Sequence, residues 1–397
     1  MTKQEKLKEV EKFRKQLQKT YGEDVLKTGT ESMEALRKRV IPTTSLELNR
    51  ALYCGGFCGI VELFGAPASG KTSLAIETLA LNQSLDPNFF GLWVETEGSI
   101  TPELLEQHNV DLDRLMFVSQ EDVDNAENLM DITVGAARKG LPDLIIVNSI
   151  AGLAPQKEVE DDLDKQQIGV VAKLMSKYLR VINGPISKNK ITAIYINQIR
   201  DKIGVMFGDP TTTPGGKALG FYANQRIRMN SVKVQSTDPI TPEEGIKVSN
   251  IVQKNRLAGI HNPYTKCEYF ARFGDGIDSS IPIPDMLVEA GIFEKAGSWY
   301  NYKVNDKVVT VEGIECKFNS RKAFSAVLRE NTNFCNAIMN LLNMQEANPE
   351  VVTEEELEKI KKEEELIKQE IGAFDNELAS EPEDGTSSDD DENFEEE

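Results

Sequence analysis

The sequence feature that most constrains the fold is the octapeptide GAPASGKT, Gly65 to Thr72. It fits the pattern G-x-x-x-x-G-K-[ST] and lies between an apolar run, IVELF, and a segment of helical character, SLAIETLALN. In a strand, loop and helix of this order, backbone N–H groups and the positive end of the helix dipole can surround phosphates. We therefore predict a nucleoside triphosphate site, with Lys71 on the β and γ phosphates and Thr72 on Mg²⁺. The predicted site residues are Gly65, Ala66, Pro67, Ala68, Ser69, Gly70, Lys71, Thr72 and Ser73.

Around this motif, short β-branched runs, among them FYANQRIRM, alternate with stretches long enough for helices between about Ile41 and Arg272. The alternation predicts an α/β fold with a mostly parallel, twisted sheet flanked by helices. Before this region, Leu7, Val10 and Phe13 recur at helical spacing. The helix that they predict, from residue 4 to about 20, is too short to be stable alone. We therefore expect it to dock, either on its own domain or on a neighbouring protein.

The chain is expected to divide into five segments. Residues 1–40 are predicted to be an N-terminal oligomerisation segment, 41–273 the nucleotide-binding core and 274–350 a small α/β C-terminal domain. Residues 351–371 are predicted to form a charged helix, and 372–397 a disordered acidic tail, because the tail has almost nothing apolar to bury.

Charge and hydropathy exclude several classes of protein. The formal net charge is −20, but residues 351–397 hold 20 Asp and Glu against 4 Lys, so that the remaining 45 acids and 41 bases nearly balance. Because salt screens exposed charges beyond about 10 Å, the acidic tail does not exclude a nucleic-acid partner. No apolar run approaches the roughly 18 residues of a membrane span, and the charged start MTKQEKLKEVEKFRKQ is unlike a signal peptide. With five scattered cysteines, we expect a cytoplasmic protein that makes no membrane contact.

Two further segments are expected to bring polar groups to the phosphates. LIIVNS is an apolar run that ends in Asn148 where such sites usually hold a carboxylate, and we predict that Asn148 contacts the metal through water. GLWVETEG ends another strand, and alternation would place Glu95 and Glu97 on one face, at the sheet edge that binds ligands. Glu97 is the predicted catalytic base. On these residues alone, a buried strand that ends in Asn and a pair of solvated carboxylates stay open as alternatives.

The stretch from Ile196 to Arg228 is INQIRDKIGVMFGDPTTTPGGKALGFYANQRIR. It resembles the second DNA-binding loop and the following helix of the bacterial RecA recombinases. TTSLELNRALYCGGFCGIVELFGAPASGKT resembles the approach to that family's phosphate loop, LVEAGIFEKAGSWYNY its C-terminal domain and QLQKTYGEDV its N-terminal segment. The likeness runs in order from about Gln16 to Leu342. The chain is therefore identified as a member of the RecA-type recombinases, of bacterial or phage origin, with a RecA-type ATPase core.

The resemblance assigns catalytic roles to matching positions. Glu97 corresponds to the glutamate that activates the attacking water, and Gln198 to the residue that senses the γ-phosphate. Lys254 and Arg256 match a basic pair that reaches the ATP of the neighbouring subunit, where cations stabilise charge on the transferring phosphoryl group. Together with Lys71, these four residues form the expected catalytic set, and hydrolysis would require a filament.

The resemblance also implies two loops that contact DNA. The first lies near residues 158–169, and the helix after it would place three polar side chains on one side to meet phosphates. The second precedes Gly215 and Gly216, which are expected to open a helix and to donate exposed backbone N–H groups to a phosphate. An apolar side chain such as Ile168 or Ile203 would insert between bases. The implied DNA-binding residues are Ile168, Lys173, Ser176, Arg180, Arg200, Lys202, Ile203, Met206, Phe207, Gly215, Gly216 and Lys217.

Some positions depart from the family pattern. Thr101 and Leu104 stand where an aspartate and a tyrosine commonly contact the base, which implies looser base recognition. Asn230 and Ser231 stand where two arginines often serve the second DNA duplex. The residues expected to substitute for them are Arg226, Arg228 and Lys233.

The function implied by the resemblance is a DNA-dependent ATPase that forms helical filaments on single-stranded DNA and catalyses homologous pairing and strand exchange. Its cofactors would be ATP and Mg²⁺. Its partners would be single-stranded DNA, double-stranded DNA, further copies of the chain, and single-strand-binding and mediator proteins. Two alternatives are an ATP-binding filament mediator with weak hydrolysis, suggested by Asn148, and a hexameric helicase motor. The N-terminal docking helix favours an open filament over a closed ring.

Overall fold

A computed structural model of the 397-residue chain describes residues 1–22, 37–162, 169–201, 211–235 and 244–347, together with Leu26, Gly29 and Ser32. Some predicted features lie outside the described residues. They are Ile168, Lys202, Ile203, Met206 and Phe207, the charged helix expected at 351–371 and the acidic tail expected at 372–397. The chain divides into two compact units, Met1–Pro282 and Ile283–Glu397.

The first unit contains both helices and strands. Its helices are α1 (Lys3–Tyr21), α2 (Leu46–Ala51), α3 (Lys71–Leu85), α4 (Pro102–Gln107), α5 (Ala126–Lys139), α6 (Gln156–Glu160), α7 (Val170–Lys188) and α8 (Ala218–Tyr222). Its strands are β1 (Ile60–Gly65), β2 (Gly91–Glu95), β3 (Leu115–Ser119), β4 (Leu144–Asn148), β5 (Thr192–Gln198), β6 (Arg200–Asp201), β7 (Thr211–Thr212), β8 (Gln225–Gln235), β9 (Glu244–Asn255), β10 (Lys266–Arg272) and β11 (Gly276–Ile277). In the parts of the chain that the structure describes, no helix combines the length and the apolar character needed to cross a membrane.

Among the described residues, nine strands form one sheet in the order β11-β10-β9-β8-β1-β5-β4-β2-β3. The pairs from β8 to β3 are parallel, and those that join β8, β9, β10 and β11 are antiparallel. Because parallel strands end at the same edge, the carboxyl ends of β1, β5, β4 and β2 meet there. The predicted α/β fold with a mostly parallel sheet is confirmed.

The central strands are apolar along their length because helices cover both faces of the sheet. β1, β2 and β4 are buried at every position. Alternate side chains enter two cores, so that Ile146 packs with Trp93 and Leu79 on one face, while Ile145 packs with Tyr195 on the other. The sheet is therefore fixed from both sides, and the polar groups at its carboxyl edge are held in place.

Helix α1 forms as its sequence predicts. The Thr2 hydroxyl accepts a hydrogen bond from the Glu5 N–H, the Glu5 carboxylate accepts one from the Thr2 N–H, and Gly22 ends the helix with a φ of 88°. None of the 19 residues of α1 is buried, and the side chains of its apolar stripe are largely exposed, Leu7 at 52% and Phe13 at 54%. A stripe of this kind is available to a further protein surface.

The prediction that FYANQRIRM forms a strand is wrong for its first residues. Phe221 and Tyr222 end α8, and β8 begins only at Gln225. Between them, the Asn224 side chain accepts a hydrogen bond from the Ile60 N–H at 3.0 Å, and the Asn224 N–H donates to the Ile60 carbonyl at 2.7 Å. This contact with β1 fixes a turn where local β-propensity alone favours a strand.

In its described part, residues 283–347, the second unit packs three helices with short strands around an aromatic core. Its helices are α9 (Ile283–Glu289), α10 (Arg321–Glu330) and α11 (Thr332–Ala347). Its strands are β12 (Glu294–Ala296), β13 (Trp299–Asn301), β14 (Lys303–Val304), β15 (Lys307–Val308), β16 (Thr310–Val311), β17 (Ile314–Glu315) and β18 (Lys317–Phe318). The Phe324 ring is fully buried, lies 4.0 Å from the Phe318 ring between centroids, and lies 4.9 Å from Phe293. These rings supply much of the apolar burial of a small unit.

We expect Phe324→Ala to lower the free energy of unfolding of the second unit by about 3–5 kcal/mol, because it removes a buried ring from the centre of this cluster. Urea unfolding followed by circular dichroism measures the loss. Trp299→Ala is the matched control, since Trp299 is 44% exposed and its removal should cost less than about half as much. Equal losses in the two variants would contradict the assignment of Phe324 to the core.

Candidate nucleotide and DNA site

The phosphate loop joins β1 to α3, as predicted from the sequence. At Gly65 a Cβ would lie 2.0 Å from the Met229 carbonyl oxygen, so only glycine lets β1 approach β8 this closely. Gly70 starts α3 with a φ of 83°, a left-handed conformation that glycine adopts without strain. In the turn between them, Ala66, Pro67 and Ala68 are exposed and Ser69 is buried, and the turn lies at the N-terminus of a helix, the arrangement that binds anions.

Lys71 folds back over its own loop. Its Nζ donates to the carbonyls of Gly65 at 3.2 Å and Ala66 at 2.7 Å, and to the Ser69 hydroxyl at 3.1 Å. Burial lowers the pKa of Lys71, and the negative charge of Glu97 opposes that shift. The ammonium is therefore held by neutral acceptors only, and anionic phosphate oxygens would bind it more strongly.

Three strand ends meet at the carboxylate of Glu97. The Ser149 hydroxyl donates a short hydrogen bond to Glu97 Oε1, and the Gln198 amide donates to the same oxygen at 3.2 Å. These residues follow or end β2, β4 and β5, and Gln198 is paired with Gly65 of the phosphate loop in the sheet. The structure thus brings together the predicted Glu97 and Gln198, beside the loop.

The prediction that alternation places Glu95 and Glu97 on one face is wrong. β2 ends at Glu95, and beyond that point the period of two no longer applies. Glu95 is buried and accepts hydrogen bonds from the Trp93 indole at 2.7 Å and the Glu97 backbone N–H at 2.9 Å, whereas Glu97 is exposed. Glu95 is therefore not a solvated carboxylate, and it positions the turn that carries Glu97.

Asn148 lies directly across from Glu95. Its buried amide nitrogen donates to both carboxylate oxygens of Glu95, at 3.3 and 3.0 Å, and to the Ser99 hydroxyl at 3.2 Å. Its Oδ1 is buried and has no hydrogen-bond partner within the described parts of the chain. An unpartnered amide oxygen at this edge fits a metal-bound water, which can only donate, and Thr72 at the start of α3 offers a hydroxyl ligand. The residues present therefore fit Mg²⁺.

A polar network that the sequence pattern does not predict lies inside the sheet. Asn197 donates to the buried Glu62 at 3.1 Å and to the Pro214 carbonyl at 3.1 Å, and Arg226 donates a short hydrogen bond to the other oxygen of Glu62. The Arg226 guanidinium also lies 4.8 Å from the Phe64 ring centroid. Arg226 is therefore committed to Glu62, and we do not retain it as a substitute contact for DNA. The sequence does contain one signal of this network, the glutamate inside the apolar run IVELF, because a buried carboxylate needs a cationic partner.

Lys254 and Arg256 both contact the end of α8. Lys254 Nζ donates to the carbonyls of Gly220 at 2.8 Å and Phe221 at 2.9 Å, and Arg256 donates to the Phe221 carbonyl at 2.9 Å. Cations stabilise the C-terminal end of a helix, where carbonyls lack partners. Burial, and then the positive charges of Arg256 and Arg226, lower the pKa of Lys254 to about 8.

The expectation that Gly215 and Gly216 are exposed and open a helix is wrong for Gly215, which is buried. Helix α8 begins at Ala218, three residues after Gly215 and two after Gly216. A Cβ at Gly215 would lie 2.8 Å from Ile150, and one at Gly216 would lie 2.7 Å from the Ala172 side chain. Because both glycines have left-handed φ values, 83° and 76°, they bring the segment after β7 into close contact with α7.

The remaining predicted DNA contacts that the structure describes are exposed. Lys173, Ser176 and Arg180 lie on the exposed side of α7, and Lys217 precedes α8 at the surface. Arg200 is exposed and lies opposite Thr212 in the antiparallel pair of β6 and β7. Asp201, three residues after Gln198 in the chain, is likewise paired with Thr211.

The sequence was also compared with known proteins. The model of the RecA N-terminal domain matches residues 8–278. Protein RecA of Bacteroides thetaiotaomicron is 38% identical over 308 residues, which cover 76% of this chain and 89% of that protein. Protein RecA of Thermus aquaticus is 38% identical over 303 residues, covering 75% and 85%, and that of Paenarthrobacter aurescens is 34% identical over 349 residues, covering 87% and 94%.

The chain belongs to the RecA family. It is a recombinase of the RecA type, with the ATP hydrolase activity, DNA binding and filament self-association of that family. The predicted family, fold and recombinase function are confirmed.

Two of the positions that depart from the RecA family pattern, Thr101 and Leu104, have structural roles. Thr101 precedes α4 and its hydroxyl accepts a hydrogen bond from the Leu104 N–H at 3.3 Å, which is a helix cap. Leu104 packs against the apolar core of the first unit. The Thr101 hydroxyl is therefore already engaged within the protein.

We expect Asn148→Asp to destabilise the protein by about 2 kcal/mol, because it replaces the N–H donors to Glu95 with a second buried carboxylate. Glu95→Gln in the same chain returns an amide donor to the pair and should recover part of the loss. Thermal unfolding of both single variants and the double variant measures this coupling. Strictly additive losses would show that the Glu95–Asn148 contact contributes no stability.

Proposed function

We propose that the chain binds ATP with Mg²⁺ at the Gly65–Ser73 loop, hydrolyses it within a filament on single-stranded DNA, and exchanges that strand with a homologous duplex. The observation that carries this proposal is the Glu97 carboxylate, shared by Ser149 and Gln198 beside the phosphate loop. Such an arrangement orients a carboxylate towards water next to a phosphate site, as hydrolysis requires. On this proposal the protein acts in the cytoplasm of a bacterium or of a phage host, where such DNA is found.

In this mechanism the phosphate loop binds the nucleotide, and residues at the carboxyl ends of the strands act on the attacking water. Backbone N–H groups at the start of α3 and the Lys71 ammonium bind the phosphates, and Thr72 and Asn148 would hold Mg²⁺, which neutralises phosphate charge when bound. Glu97 accepts a proton from the attacking water. Ser149 and Gln198 hold Glu97 Oε1, which leaves Oε2 for that water.

Two neighbouring residues connect the nucleotide to DNA. Gln198 donates to Glu97, and Asn197 donates to the Pro214 carbonyl, directly before Gly215. A displacement of the end of β5 by the γ-phosphate would therefore move the segment that leads into α8. Lys173 and Arg180, exposed on α7 beside this segment, would contact DNA phosphates.

Self-association would complete the site. Lys254 and Arg256 would turn from the α8 carbonyls to the ATP of a neighbouring copy, and the exposed stripe of α1 would dock on that copy.

Asn148 favours a second candidate, a filament mediator with weak hydrolysis, because an amide brings no negative charge to the metal. Single-strand-binding and mediator proteins would be further partners.

Glu97→Gln should lower DNA-stimulated ATP turnover by about 10²–10⁴-fold while nucleotide binding persists, because the amide cannot accept the water proton. Lys71→Ala should lose nucleotide binding as well. Steady-state phosphate release with and without single-stranded DNA measures turnover, and calorimetry measures binding. Glu103→Gln on the exposed first turn of α4 is the matched control. Wild-type turnover in Glu97→Gln would exclude Glu97 as the base.

At protein concentrations where filament assembly limits ATP turnover, turnover should fall as pH rises through about 8, because Lys254 of the free chain, which lies against the α8 carbonyls, is charged below its lowered pKa and neutral above it. Lys254→Arg keeps the charge and should remove this fall from the pH profile. Lys247→Arg, on the same strand and half exposed, is the control and should leave the profile unchanged. If ATP turnover of Lys254→Arg still fell at the same pH, the pH dependence would have to come from another group.

A further inference from the structure

A cavity of about 610 Å³ opens beside the phosphate loop. Its wall begins at Gly70 and Ser73, follows one side of α3 to Glu77, and is closed on the other side by residues 273–277. Because it continues from the N-terminus of α3, where phosphates bind, the nucleoside of a bound triphosphate would extend into it.

Glu77 brings an unpartnered oxygen to this cavity. The side chain is 8% exposed, and its Oε2 accepts hydrogen bonds from the Thr44 hydroxyl at 3.1 Å and the Ile277 N–H at 3.2 Å. Within the described residues, Glu77 Oε1 is buried and has no hydrogen-bond partner, and His108 Nδ1 lies 3.8 Å away. A buried acceptor without a donor is costly, so a donor supplied by a ligand would be favoured here.

Two neighbouring residues support a ligand in this place. Tyr269 also lines the cavity, its buried hydroxyl also lacks a partner among the described residues, and a Cβ at Gly70 would lie 3.9 Å from that hydroxyl. At Gly276, which has a φ of 83°, a Cβ would lie 2.7 Å from Glu77 Oε1. Only glycine therefore leaves this side of the carboxylate uncovered.

We propose that Glu77 selects the base of the nucleotide, with Oε1 accepting a hydrogen bond from the exocyclic 6-amino group of a purine. A 6-oxo purine would bring a second acceptor against Oε1 and would be disfavoured. This inference rests on the proposed function, because it assumes that a triphosphate occupies the phosphate loop.

The wild-type protein gives the first test. Calorimetric titration without DNA compares ATP, inosine triphosphate and purine riboside triphosphate, which differ in the group at position 6 and, for inosine triphosphate, also in a proton on N1. ATP should bind about tenfold more tightly than purine riboside triphosphate, and inosine triphosphate should bind most weakly. Equal affinities for the three nucleotides would overturn the inference without the need for any variant.

Glu77→Gln gives the second test. The Ile277 N–H can only donate, so the amide oxygen must stay on it and the amide NH₂ must turn to the cavity. The position then changes from acceptor to donor, and the preference between ATP and inosine triphosphate should invert, with about a tenfold change for each. The affinity for purine riboside triphosphate should change less than about twofold, and Glu103→Gln should leave all three affinities unchanged.

The outcomes separate this inference from the proposed function. An unchanged ratio of ATP to inosine triphosphate affinity in a folded Glu77→Gln variant, as judged by its thermal unfolding, would overturn the role of Glu77 and leave the phosphate site intact. Nucleotide binding that survives Lys71→Ala would instead contradict the proposed phosphate site itself.

Discussion

The site depends on one carboxylate that is held from two neighbouring strands. Glu97 lies just past the end of β2, Ser149 just past the end of β4, and Gln198 at the end of β5. These groups can meet only if the strands stay in register, with Glu95 opposite Asn148 and Gly65 opposite Gln198. That register is set by apolar side chains on both faces of the sheet. The packing of the core therefore also determines the geometry of the site.

Buried polar pairs reinforce this register from within. Glu62 lies on β1 but is balanced by Arg226 on β8 and Asn197 on β5, and Glu95 on β2 is bound by Asn148 on β4. A buried carboxylate that loses its partner is strongly destabilising. A strand that slipped would separate each pair, so these contacts oppose alternative pairings more than they add stability.

The parts of the fold and site that could be predicted are local in sequence. The phosphate loop with its flanking strand and helix is encoded in consecutive residues. Glu97 lies three residues after Val94, where an apolar run ends. The burial of Glu95, the commitment of Arg226 to Glu62 and the close packing of Gly215 against Ile150 could not be predicted. Each depends on a partner distant in the chain, which periodicity and propensity do not encode.

The last two residues of β5 face opposite sides of the sheet. Asn197 points inward to Glu62 and Pro214, while Gln198 points to Glu97. Because side chains along a strand alternate, the insertion or deletion of a single residue in Thr192–Gln198 would exchange the two orientations and disconnect both. A homologue that keeps both contacts must therefore keep the spacing of residues along this strand.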